Sequence, residues 1–157
     1  MIERDGIEPT PDLLRDVFGK KIDFSEECRV WLDDDLVDRS APEGWLHLRS
    51  VREVAMLLLL GNVVQLSLDS DLNGDVVYGV GFQVIDFLDS QEGIAGLSLW
   101  PRDGIIVHSA NPESRARMRR ALETVPQRHP HLMVREDHDR PATQPLFIVE
   151  QIEEGGA

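Results

Sequence analysis

Residues 63–75 read VVQLSLDSDLNGD, an apolar segment that runs directly into Asp69, Asp71, Asn73 and Asp75. The spacing Asp-x-Asp-x-Asn-Gly matches the start of a helix-loop-helix calcium loop, which needs a bidentate Glu at its twelfth position. Counted from Asp69, that position is Val80. The residues before it, Val63 to Leu68, read as a buried strand rather than an entering helix. Calcium is therefore set aside. The stretch is a strand whose end delivers Asp69 and Asp71 to a rim, and Asn73, Gly74 and Asp75 make the turn to the next element.

Upstream of this strand, Ser50-x-x-Glu53 is a capping box that opens a helix, and Gly61 can close it. Leu57 to Leu60 leave that helix little polar surface on its last turn, so it is expected to be largely buried. Two short strands are expected earlier, at Arg29 to Leu32 and at Trp45 to Leu48 after the turn signal Ala41-Pro42-Glu43-Gly44. Residues 1–28 read as an appendage with a short helix started by Thr10 and Pro11.

Downstream, Phe82, Ile85 and Leu88 fall at core spacing in a helix expected from about Val77 to Leu88. Gly104 to Val107 reads as a strand ending at His108-Ser109. Asn111 and Pro112 then signal the cap and first turn of a helix carrying Met118, Leu122 and Val125 on one side. A late strand is expected at Phe147 to Val149 in a tail rich in Pro and His. Short apolar strands alternating with helices predict an α/β fold: an open, mainly parallel sheet with helices on both faces.

At 157 residues, 41% hydrophobic and 29% charged, the chain is the size and composition of one globular domain. Its longest apolar run, Val54 to Leu60, is too short to cross a bilayer, so no membrane contact is expected. One cysteine, Cys28, cannot form an internal disulfide, and no secretory leader is read, which together predict a cytoplasmic location. The net charge of −13 argues against nonspecific adhesion to nucleic acid. The charge is uneven: residues 101–135 hold seven arginines against Asp103, Glu113 and Glu123, making that segment +4 and the remainder −17. Such a positive zone suits a small anion or a short nucleic-acid end, or is simply a solvated helix face.

Ligands of open parallel sheets bind beyond the carboxyl ends of the strands. Three of the expected strands end in polar clusters: Asp33-Asp34, Asp69-x-Asp71, and His108-Ser109-Ala110-Asn111. Each cluster has a plain structural explanation. Adjacent acids can start a loop, Asp69 and Asp71 can turn on their own backbone, Asn111 can cap a helix, and His108 can simply be packed. If the three strands are neighbours, however, the clusters share one rim. Carboxylates gathered there repel one another, and a hard divalent ion such as magnesium would relieve that strain and engage a phosphate. The start of the helix at Pro112, beside Ser109, would offer backbone N–H groups to phosphate oxygens.

In order along the chain, Leu32-Asp33-Asp34, Ala41-Pro42-Glu43-Gly44-Trp45, Ser67-Leu68-Asp69-x-Asp71-Leu72, Tyr78-Gly79 and Ile106-Val107-His108-Ser109-Ala110-Asn111-Pro112 with Arg117-Met118 resemble the cyclic-phosphate processing receiver-like domains. The likeness spans about residues 29–125. It implies a receiver-like (Rossmannoid) three-layer sandwich, a magnesium-dependent acidic pocket, and a role in handling cyclic phosphates in RNA repair. On this reading residues 1–28 are an N-terminal extension and 126–157 a C-terminal extension that can add a strand. Two departures stand out. Relatives usually read Leu-Asp-His-Asp-Leu at the third strand, where this chain has Ser70. A signalling receiver also carries a Lys at the end of its fifth strand, and this chain has only Lys20 and Lys21.

Three functional readings follow. The first is a magnesium-dependent phosphoesterase acting on a cyclic phosphate, at an RNA end or on a small molecule. In it, Asp33, Asp34, Asp69 and Asp71 are the metal ligands and Asp69 (or a water) is the nucleophile. His108 is the acid or base, and Ser109 and Asn111 meet the phosphate. The second is a non-catalytic receiver-like binding module, which Ser70 favours. The third is a protein-interaction role in which the acidic surface docks a basic partner.

Overall fold

The computed structural model describes residues 27–33, 41–60, 62–69, 81–108 and 112–152. The first half of the described chain holds β1 (Cys28–Leu32), β2 (Trp45–Leu48), α1 (Val51–Leu60), β3 (Val63–Leu68) and α2 (Gly81–Ser90). A single π-helical turn (Gln91–Ala95) extends α2. Then come β4 (Ile105–Val107), α3 (Pro112–Glu123), the short α4 (Val125–Arg128), β5 (Leu132–Asp137) and β6 (Leu146–Gln151).

The six strands make one sheet in the order β2-β1-β3-β4-β6-β5. The pairings β1–β2, β1–β3 and β3–β4 are parallel, and β6 runs antiparallel to both β4 and β5. This is the α/β, mainly parallel, receiver-like architecture that the strand and helix alternation predicts.

The sheet is sorted by the two-residue period of its strands. Val30 and Leu32, Leu66 and Leu68, Ile105 and Val107, and Phe147 point to one face and are almost fully buried. They meet Val54, Leu57 and Leu58 of α1, Val84, Ile85 and Leu88 of α2, and Met118 and Leu122 of α3 in a single apolar cluster. These residues recur at three- and four-residue intervals along their helices, so each helix lays one stripe against the sheet. Burying a Leu side chain in this way contributes about 2 kcal/mol.

Local signals set most boundaries. The Glu53 backbone N–H donates to Ser50 Oγ at 3.2 Å, and the Ser50 N–H donates back to Glu53 Oε1 at 3.2 Å, forming the expected capping box of α1. The α2 stretch extends past the expected end at Leu88 through the π-helical turn. It closes only at Gly96, whose φ of 67° is the left-handed conformation that glycine adopts without strain. The expected start of that helix at Val77, and the helix expected after Thr10, lie outside the described residues.

Strand β5 is not foreseen from the sequence. It is an edge strand with Arg135, Glu136 and Asp137 among its six residues and Met133 exposed, so its apolar alternation is faint. Its neighbour β6, expected at Phe147 to Val149, spans Leu146–Gln151 and places the β5–β6 pair on the edge of the sheet beside β4.

Candidate functional site

Backbone register builds the site. Leu32 lies opposite Leu68 across the β1–β3 pair, and Leu68 lies opposite Val107 across β3–β4. Asp33, Asp69 and His108 are each the next residue, so they leave three neighbouring parallel strands at one level. The main chain carries the pairing one step further. Asp69 N–H donates to the Leu32 carbonyl at 3.0 Å, and His108 N–H donates to the Leu68 carbonyl at 2.9 Å. By the same alternation all three side chains belong to the face opposite the helix-covered core.

There they converge. Asp33 and Asp69 are 0% and 1% exposed and His108 is 9% exposed, and each offers a donor atom within 4.8 Å of the other two. His108 Nε2 is 3.3 Å from Asp33 Oδ2. Its Nδ1 shares a 2.7 Å hydrogen bond with the Ser67 hydroxyl. A hydroxyl both donates and accepts, so Ser67 can hold the imidazole in either neutral tautomer and when it is protonated. The ring also stacks on Trp31, with centroids 4.0 Å apart and planes at 10°. Imidazole plane and position are thus fixed from two sides.

A further histidine supports Asp33. The Ala41 N–H donates to His47 Nδ1 at 3.3 Å, so His47 Nε2 carries the proton and donates to the Asp33 carbonyl at 2.6 Å. Asp33 N–H in turn donates to the Leu48 carbonyl at 3.1 Å. Asp69 is held by the start of α2, where Gly81 N–H donates to the Asp69 carbonyl at 3.1 Å. A Cβ at position 81 would collide with that same carbonyl oxygen, so the approach requires glycine.

The electrostatics follow from the burial. Two adjacent carboxylates taken out of water repel, and burying a charge costs several kcal/mol unless a cation or proton compensates. The two carboxylates could therefore hold a divalent cation such as magnesium or manganese, with the His108 imidazole beside them. The edge of the sheet also reaches this rim. Val107 N–H donates to the Pro145 carbonyl at 3.0 Å, which sets the start of β6 beside the strand that ends in His108.

Of the site residues expected from the sequence, Asp33, Asp69 and His108 are brought together. Asp34, Asp71, Ser109 and Asn111 lie outside the described residues. Ser67 stands in the motif of the third strand without a role assigned to it, and Trp31, His47 and Gly81 escape motif reading. Period-two counting backward from Asp69 and Asp33 reaches Ser67 and Trp31, and the pairing of His47 with Trp31 places it on the same face.

A family model described as the cyclic-phosphate processing receiver domain matches residues 28–124, well over half of the chain. The chain belongs to this family. The cyclic-phosphate processing receiver domain thus covers β1 through α3 and contains Asp33, Asp69 and His108, while the β5–β6 pair lies beyond it. The family links the protein to cyclic-phosphate processing. No curated protein and no solved structure matches the chain. Among the described residues, no helix is long and apolar enough to cross a membrane.

Proposed function

We propose that the protein is a metal-dependent phosphoesterase that hydrolyses a cyclic phosphate, in the simplest case the ring at an RNA end. The observation that carries this reading is the register-driven meeting of Asp33, Asp69 and His108 as a buried cluster beyond the ends of three parallel strands, in a domain from a cyclic-phosphate family.

Asp33 and Asp69 would hold the divalent ion, magnesium or manganese, with Asp34 and Asp71 as further candidates. Such an ion, when bound, neutralises phosphate charge and orients an attacking water. The chain's own groups do the rest. Opening the ring forms one bond from a water oxygen to phosphorus and breaks one bond from phosphorus to a ring oxygen. The water loses a proton and the leaving oxygen gains one. His108 is placed to carry that proton, because Ser67 preserves its Nδ1 hydrogen bond in each protonation state and Trp31 prevents the ring from turning away. Ser109 and Asn111, which precede Pro112 in the sequence, are the candidates for contacts to phosphate oxygens.

The non-catalytic module is a distinct reading, favoured by Ser70 at the position where domains of this family usually read His. One experiment separates the two. An RNA oligonucleotide ending in a 2′,3′-cyclic phosphate is incubated with the full chain and magnesium or manganese. Turnover is expected, falling by at least about 100-fold in Asp69→Asn and in His108→Ala. Tight binding without turnover, or turnover indifferent to both substitutions, contradicts the catalytic reading.

A further inference from the structure

The positive zone seen in the sequence condenses on a cavity of about 550 Å³ between α2 and α3, separate from the rim pocket. Phe82, Asp86, Asp89 and Ser90 form its α2 wall, and the α3 side carries Arg117, Arg120 and Thr124, with Arg128 below. None of Asp33, Asp69 and His108 lines it.

The charges in this groove are not equivalent. Asp89 is already occupied: Arg128 Nε donates to it at 2.6 Å and His129 Nε2 lies 2.6 Å from its other oxygen. Burial alone would raise the Asp89 carboxyl pKa, yet these partners hold it below the ordinary carboxylate value. Arg117 and Arg120, three apart and so on one face of α3, have no carboxylate partner among the described residues. The Arg117 guanidinium lies over the Phe82 ring, 5.3 Å from its centroid. On the opposite wall, exposed Asp86 has no cationic hydrogen-bond partner among the described residues.

This asymmetry selects a ligand. A polyanion running along the groove would meet Asp86 and be repelled. A ligand with one anionic end and one neutral, hydrogen-bond-donating end fits both walls. A flat ring in its middle would lie against the Phe82–Arg117 pair. We propose that the α2–α3 groove is a binding site for a nucleoside monophosphate. Arg117 and Arg120 take the phosphate and Asp86 accepts from sugar hydroxyls or a base amino group. The volume falls in the range of small-molecule sites. The proposal does not depend on chemistry at the rim pocket.

The test is calorimetric titration of the full chain, in chelator so that no divalent ion contributes, with each of the four common ribonucleoside 5′-monophosphates. At least one is expected to bind, with inorganic phosphate and the matching nucleoside each at least tenfold weaker. Arg120→Gln, at an exposed position where the fold is not at stake, is expected to weaken that nucleotide at least tenfold, and Arg120→Lys less. Asp69→Asn is expected to leave it unchanged. The proposal is overturned if none of the four binds, if binding survives both Arg117→Gln and Arg120→Gln, or if Asp69→Asn alone abolishes it.

Discussion

The rim pocket and the α2–α3 groove both gather charged side chains, but by opposite means. In the pocket, sheet register brings together residues 33, 69 and 108 from three separate strands and buries them almost completely. In the groove, helical spacing presents Arg117, Arg120 and Arg128 on an open surface, and only Arg128 is tied to a carboxylate among those the structure describes. Buried groups depend on exact backbone placement, since each misplaced polar atom loses its partner in a medium that cannot replace it. Exposed groups have water as an alternative, so each matters little to stability and is available to a ligand.

The comparison is broken most forcefully at Gly81. Replacing it with Ala drives a methyl group into the Asp69 carbonyl and is expected to cost about 3 kcal/mol in urea unfolding, with loss of divalent-ion binding. An unchanged midpoint would mean that the α2 start does not position Asp69. A smaller effect separates two hydroxyls. Ser67→Ala removes the buried partner of His108 and should cost about 1 kcal/mol. Ser98→Ala, at an exposed hydroxyl bonded to Glu92 at 2.7 Å, should cost under about 0.5 kcal/mol. Equal costs would erase the distinction between the two environments.

The smallest effect concerns the outer side of α3. Arg119 grips Glu136 of β5 through two bonds of 2.6 and 3.1 Å, and this hydrogen bonding holds the Glu136 carboxyl pKa below its ordinary 4.5. A carboxyl depressed in the folded state adds stability above its unfolded value and loses it as pH falls through the folded one. Wild type should therefore exceed Glu136→Gln by about 0.5 kcal/mol at neutral pH, and the gap should close below about pH 4.5, as read by thermal unfolding across pH. A gap that persists into acid would assign the effect to packing instead.

The sequence makes one of these regions far more legible than the other. Strand ends followed by acids or by His108 are visible as abrupt changes from apolar to polar residues, so the rim could be anticipated once the strands were taken as neighbours. Ser67, Trp31 and His47 were hidden because each sits inside a strand, where only pairing with another strand shows what its side chain meets. The groove was legible merely as a local charge excess. Whether an arginine on α3 finds a carboxylate depends on α2, α4 and β5, and helix-to-helix packing leaves no mark in local spacing. Strand β5 is faint in the sequence for a related reason: half its residues are charged, as an edge strand allows.

Strand register brings Asp33, Asp69 and His108 together, and the proposed function requires that they hold a divalent cation. Calorimetric titration of magnesium and manganese into the full chain, and into Asp69→Asn and Arg120→Gln, tests this most directly. One ion per wild-type chain is predicted, with affinity reduced at least tenfold in Asp69→Asn and unaltered in Arg120→Gln. Absence of binding to the wild type, or the same affinity in Asp69→Asn, would contradict it.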